Sequence, residues 1–104
     1  MGFNAMPGSG TVIMTTDLRI KENEEHAAIG ILDALAASSR AEQGCVSYCY
    51  YRAKGDKASY FLLEKWEDKA AFARHRESAH LRSGLDALAA LWEVPPAFKA
   101  WIEA

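Results

Sequence analysis

The stretch from Tyr60 to Leu81, YFLLEKWEDKAAFARHRESAHL, limits what this chain can fold into more than any other. A β-patterned segment ends in the acidic-aromatic knot Glu64-Lys65-Trp66-Glu67-Asp68 and runs directly into a helical pattern carrying His75. Asp68 is placed to cap a short helix reaching about His75. Ser78 is placed to cap a longer helix whose Leu81, Leu85, Leu88 and Trp92 form an apolar stripe at i, i+4, i+7 and i+11. A strand feeding two successive helices must return to the sheet, and Pro95-Pro96 ends the helical pattern before Ala97 to Glu103 (AFKAWIE) supplies a last strand.

The preceding half fits the same plan. Thr11 to Ile20 (TVIMTTDLRI) is rich in β-branched residues and puts Val12, Met14, Thr16 and Leu18 on one face, a first strand. Asn23 reads as an N-cap, with Ala28, Ile31, Leu32, Leu35 and Ser39 at helical spacing, so helix one is expected from Glu24 to Gln43. Gly44 stands where a left-handed C-terminal cap is wanted. Cys45 to Ala53 and Ala58 to Glu67 are two strands joined by the polar turn Lys54-Gly55-Asp56-Lys57, an antiparallel hairpin. The order is β-α-β-β-α-β, an α+β fold of the ferredoxin-like kind with a four-stranded antiparallel sheet. Residues 1–10 read as a flexible leader and 11–104 as a single domain.

Both faces of the central strands are apolar. Strand two is expected to put Cys45, Cys49 and Tyr51 on one face, and Val46, Tyr48 and Tyr50 on the other. Strand three puts Leu62 and Trp66 opposite Phe61 and Leu63. Helices can cover only one face, so a second body must cover the other, and an identical subunit is the simplest. A homodimer is expected.

Composition excludes some partners. A net charge of −2, with Lys and Arg scattered among acids, offers no stripe for nucleic acid. No apolar run reaches membrane-spanning length, and the first ten residues lack the basic and apolar regions of a secretory signal, so a cytoplasmic location is expected. Cys45 and Cys49, roughly 13 Å apart along an extended strand, are out of disulfide reach. They read as small buried hydrophobes.

Chemistry could centre on His75, three residues after Phe72 at a bend between helices. It reads as a general base or hydrogen-bond donor, or as a buried His at a helix C-terminus. On a continuous helix His80 would point roughly 140° away from it, so the two would not share a metal. Trp66 reads as a stacking surface for a planar substrate or as a core aromatic. Glu64 reads as an orienting group, or as an ion-pair partner of Arg19 or Arg52. Tyr48 and Tyr50 read as phenolic donors into the same space or as packing residues. No phosphate loop, nucleophile elbow or HExxH motif occurs, and nothing demands a cofactor or metal.

From Val12 to Trp101 the chain resembles the antibiotic biosynthesis monooxygenase (ABM) family of dimeric α+β barrels. The resemblance rests on Asp17-Leu18-Arg19, Glu42-Gln43-Gly44-Cys45, Tyr48, Glu64-Lys65-Trp66-Glu67-Asp68, His75 and His80. It implies cofactor-independent oxygenation of a small aromatic, hydroquinone- or anthrone-like, by molecular oxygen. His75 would then be the base, with Trp66, Tyr48, Tyr50 and Phe72 around the substrate. The haem-degrading branch of the superfamily is not matched, since its helix Trp, iron-ligating His and strand-one Asn fall at His75, Leu85 and Asp17. Two alternatives stay open: a non-catalytic dimer binding a small ligand, and an isomerase of a small phosphorylated signalling sugar using Arg19, Arg52 or Arg74.

Overall fold

The computed structural model describes residues 10–104, so the expected leader lies, but for Gly10, outside the described residues. The chain folds as β1 (Val12–Arg19), α1 (Glu25–Arg40), β2 (Cys45–Arg52), β3 (Ser59–Trp66), α2 (Lys69–Arg76), α3 (Ala79–Ala89) and β4 (Ala97–Trp101). The strands form one antiparallel sheet in the order β2-β3-β1-β4. This is the expected ferredoxin-like topology, with the second helical segment divided in two.

One face of the sheet carries the core. Leu18, Tyr48, Tyr60, Leu62 and Trp66 are buried beneath Ala28, Leu32, Leu35 and Ala36 of α1 and Leu88 of α3. The buried α1 positions Ala28, Leu32, Leu35, Ala36 and Ser39 recur at i, i+4, i+7, i+8 and i+11, a single stripe. Each buried Leu or Ile on this face contributes about 2 kcal/mol relative to an exposed one.

Two expected caps sit where the sequence puts them. Asp68 accepts from Ala71 N at 2.8 Å and starts α2. Ser78 Oγ accepts from Leu81 N at 3.3 Å to start α3, and donates to His75 O at 2.7 Å to close α2. One serine thus sets the bend between the two helices.

Three details depart from expectation. Asn23 is not the N-cap of α1; it takes a left-handed conformation (φ 71°), which Asn tolerates, and Glu24 occupies the cap position without a side-chain bond. Helix α1 ends at Arg40, and Ala41 to Gly44 form a turn closed by Gly44 at φ 89°. A β-bulge at Val46 sets Cys45 opposite Trp66 but Ser47 opposite Lys65, so Cys45 turns to the helix-covered face. Cys49 pairs with Leu63 and stays on the other face, so the two cysteines do not share a face as expected.

The face away from the helices is apolar and open. Phe61, Tyr51 and Trp101 lie on it, 38%, 54% and 45% exposed, beside Leu63. Trp101 Nε1 donates across to Thr15 Oγ1 at 2.7 Å. Among the described residues no helix is long and apolar enough to cross a membrane.

Candidate active site

A cleft of about 390 Å³ opens between the helix-facing side of the sheet and the α2–α3 pair. Met14 and Leu18 of β1, Leu62 of β3 and Leu81, Leu85 and Leu88 of α3 give it aliphatic walls. Phe72, Trp92 and Phe98 add aromatic surface. Thr16, Tyr48, Glu64, His75 and Arg76 bring polar groups to an otherwise apolar space.

His75 is the pivot of these groups. It lies in the last turn of α2 and is 1% exposed. Its Nδ1 lies 2.6 Å from Glu42 Oε2, in the turn after α1. Its Nε2 lies 3.6 Å from Glu64 Oε1, beyond hydrogen-bond length. That Glu64 oxygen instead accepts from Trp66 Nε1 at 2.8 Å. The imidazole packs on the Trp66 ring with centroids 4.5 Å apart, and Tyr48 stands 5.6 Å away. A carboxylate accepts only, so the neutral imidazole carries its proton on Nδ1 and its lone pair on Nε2, beside Glu64. The ring is fixed in place, in tautomer and in orientation.

Burial governs the neighbouring acids. Desolvation pushes the Glu64 carboxyl above the ordinary Glu range, with the Trp66 N–H and His75 pulling it back and Glu42 pushing it further. Burial also raises the Tyr48 phenol, reinforced by the negative potential of Glu64. Tyr48 is therefore a hydrogen-bond donor and no acid at neutral pH.

His80 joins the cluster from the far side. Its Nε2 lies 2.7 Å from the same Glu42 Oε2, so one carboxylate oxygen bridges both histidines. Divergence of the two rings was expected from an unbroken helix. The break at Glu77-Ser78 re-aims α3 and brings them together instead. One donor atom each from Glu42, His75 and His80 lies within 4.8 Å of the others, a spacing able to hold a metal ion.

The other expected site residues are divided by the structure. Tyr48 and Phe72 line the cleft with His75. Trp66 is wholly buried behind His75 and touches the cleft only through it and Glu64. Tyr50 is turned away, its hydroxyl donating to Asp33 of α1; burial and that bond push the phenol up to about 12. Glu64 is not paired with Arg19, which holds Asp56 at 3.0 Å and Glu93 at 3.7 Å. Glu42 was not assigned a role from sequence. Its position between a helix end and a glycine turn is a local cue, but its partners are remote.

A family model for antibiotic biosynthesis monooxygenases matches residues 11–104. The chain belongs to that family. Several solved structures share the fold closely. PA3566 from Pseudomonas aeruginosa superposes with a TM-score of 0.84 at 25% identity, covering 93% of this chain and 97% of its own. Rv0793 from Mycobacterium tuberculosis gives 0.84 at 26%, covering 90% and 95%. SnoaB from Streptomyces nogalater, described as a cofactor-independent oxygenase, gives 0.80 at 18%, covering 90% and 93%. At that identity the likeness to SnoaB is one of fold. The cleft and the Glu42–His75–His80 cluster are both read from this chain's own geometry.

Proposed function

We propose that the protein is a cofactor-independent monooxygenase of a small, electron-rich aromatic substrate of the hydroquinone or anthrone type. The observation that carries this reading is the buried Glu42–His75 pair, which leaves His75 Nε2 as a proton acceptor at the wall of an apolar cleft. Family membership supports oxygenase chemistry, and the cleft's size and aromatic surface suit a planar molecule.

The chemistry follows from these groups. His75 Nε2 takes the proton of a phenol or enol hydroxyl, and Glu42 stabilises the imidazolium that forms. The dry cleft keeps the substrate anion poorly solvated, so it gives up one electron to molecular oxygen more readily. The radical pair recombines with a new C–O bond, and His75 returns its proton to the peroxide. At a CH₂ centre, loss of water then leaves a carbonyl: CH₂ and O₂ become C=O and H₂O. Tyr48, whose phenol burial keeps protonated, serves as a hydrogen-bond donor to the oxygens that gain charge.

The phosphosugar isomerase reading fits the geometry poorly. Arg19 is held by Asp56 and Glu93, and Arg74 reaches the Gln43 carbonyl at 3.5 Å. Neither lines the cleft, where Arg76 is the lone Arg or Lys among the described residues. The working form is proposed to be a cytoplasmic homodimer, with the open sheet face of Phe61, Tyr51 and Trp101 against a second copy. Turnover of an anthrone under ¹⁸O₂ tests the reaction type. One labelled oxygen in the product carbonyl is expected. Unlabelled product overturns the oxygenase chemistry, and no product from any aromatic tried overturns it in favour of a non-catalytic binder.

A further inference from the structure

We propose that Glu42, His75 and His80 form a reversible binding site for a divalent first-row transition ion on the far side of His75 from the cleft. The three donors are Glu42 Oε2, His75 Nδ1 and His80 Nε2, and the oxygen stands 2.6 and 2.7 Å from the two nitrogens. Two imidazoles and one carboxylate suit Zn²⁺, Fe²⁺, Co²⁺ or Ni²⁺, whereas Mg²⁺ and Ca²⁺ want oxygen ligands. A tetrahedral ion about 2.1 Å from each ligand needs donors about 3.4 Å apart. The present contacts are hydrogen bonds, so an ion replaces the two shared protons and widens each contact by less than about 1 Å. Glu42 sits in a turn and His80 in the first turn of α3, both placed to give by that much.

Two further observations suit a metal rather than a bare hydrogen-bonded cluster. First, with the ion on Nδ1, the His75 proton moves to Nε2, where Glu64 Oε1 waits 3.6 Å away. That is the carboxylate–histidine–metal arrangement that fixes a ligand's tautomer, and Trp66 packing already holds the ring. Second, the site has an entrance. The His80 side chain is 29% exposed and borders a shallow groove between α1 and α3, beside Ile31, Ser38 and Ser83. An ion arriving there takes His80 and Glu42 first and then His75, leaving its remaining position for water.

Binding has one consequence, which rests on the oxygenase reading. A metallated Nδ1 leaves Nε2 protonated, so His75 loses its acceptor and the ion acts as an inhibitor. The binding claim stands or falls without it. Titration of the chelator-treated wild-type protein with Zn²⁺ by calorimetry is the test, with Co²⁺ absorption as a second readout. One ion per chain is expected, with the d–d bands of a low-coordinate N₂O site. His80→Gln should weaken binding at least tenfold while leaving Tm nearly unchanged, and Glu42→Gln should do the same to binding. Absence of binding, or affinity indifferent to both substitutions, overturns the proposal and leaves a hydrogen-bonded cluster only. Cys45→Ser runs alongside; loss of binding in that variant alone would place the ion on the thiol and overturn it equally.

Discussion

Glu42 Oε2 lies 2.6 Å from His75 Nδ1 across 33 residues of sequence, and that contact decides which face of the imidazole can act as a base. Without it the ring has no fixed tautomer. A Glu42→Gln variant keeps the shape and offers an amide in place of the carboxylate. It should lower kcat by about 10²-fold with KM little changed, because the imidazolium loses its counter-charge. A marked rise in KM alongside the fall in kcat would point to a collapsed cleft instead. Steady-state kinetics separates the two.

Gly44 brings Glu42 to that position and tolerates no side chain. Its φ of 89° is in the left-handed region, and an added Cβ would stand 2.5 Å from the Ala71 Cβ. Gly44→Ala should therefore cost about 2–4 kcal/mol, from backbone strain and the clash with α2 together. Chemical denaturation measures it. An unchanged midpoint would show that the turn relaxes freely.

Glu64 gives a pH signature. Its carboxyl is raised on folding, chiefly by burial, so the folded chain holds this proton more tightly than the unfolded one. The stability it contributes is full below the ordinary Glu range and is lost as pH rises through the raised value. Glu64→Gln mimics the protonated form and can still accept from Trp66. It should thus raise Tm relative to wild type near neutral pH, with the gap closing below about pH 4. A gap that widens in acid would mean that Glu64 is stabilised as an anion.

The open sheet face predicts association. Sedimentation at micromolar concentration should return about twice the chain mass of 11.5 kDa. Placing a charge at its centre with Phe61→Glu should shift the protein toward monomer, since an unpaired charge in an apolar interface costs several kcal/mol. A wild-type monomer would leave Phe61, Tyr51 and Trp101 without an explanation.

Much of this architecture is legible in the sequence, and the failures have local causes. The strands announce themselves by alternation, and Asp68 and Ser78 by their cap positions, because those signals depend on neighbours a few residues away. The bulge at Val46 adds no sequence mark, yet it moves Cys45 to the opposite face from Cys49. Asn23 suits both a cap and a left-handed turn, and only tertiary context selects the turn. His75 and Phe72 are found at the cleft because they follow from the helix pattern. The bridging of His75 and His80 by Glu42 was hidden because, although the break at Ser78 is legible, the contacts span 33 and 38 residues.

The most direct test of the central claim is the initial rate of oxygen uptake by chelator-treated protein with anthrone and hydroquinone substrates, wild type against His75→Ala. The account predicts uptake well above the uncatalysed rate in the wild type, falling by at least 10²-fold in the variant while the variant remains folded. Equal uptake by both proteins would contradict it, and so would no uptake by either.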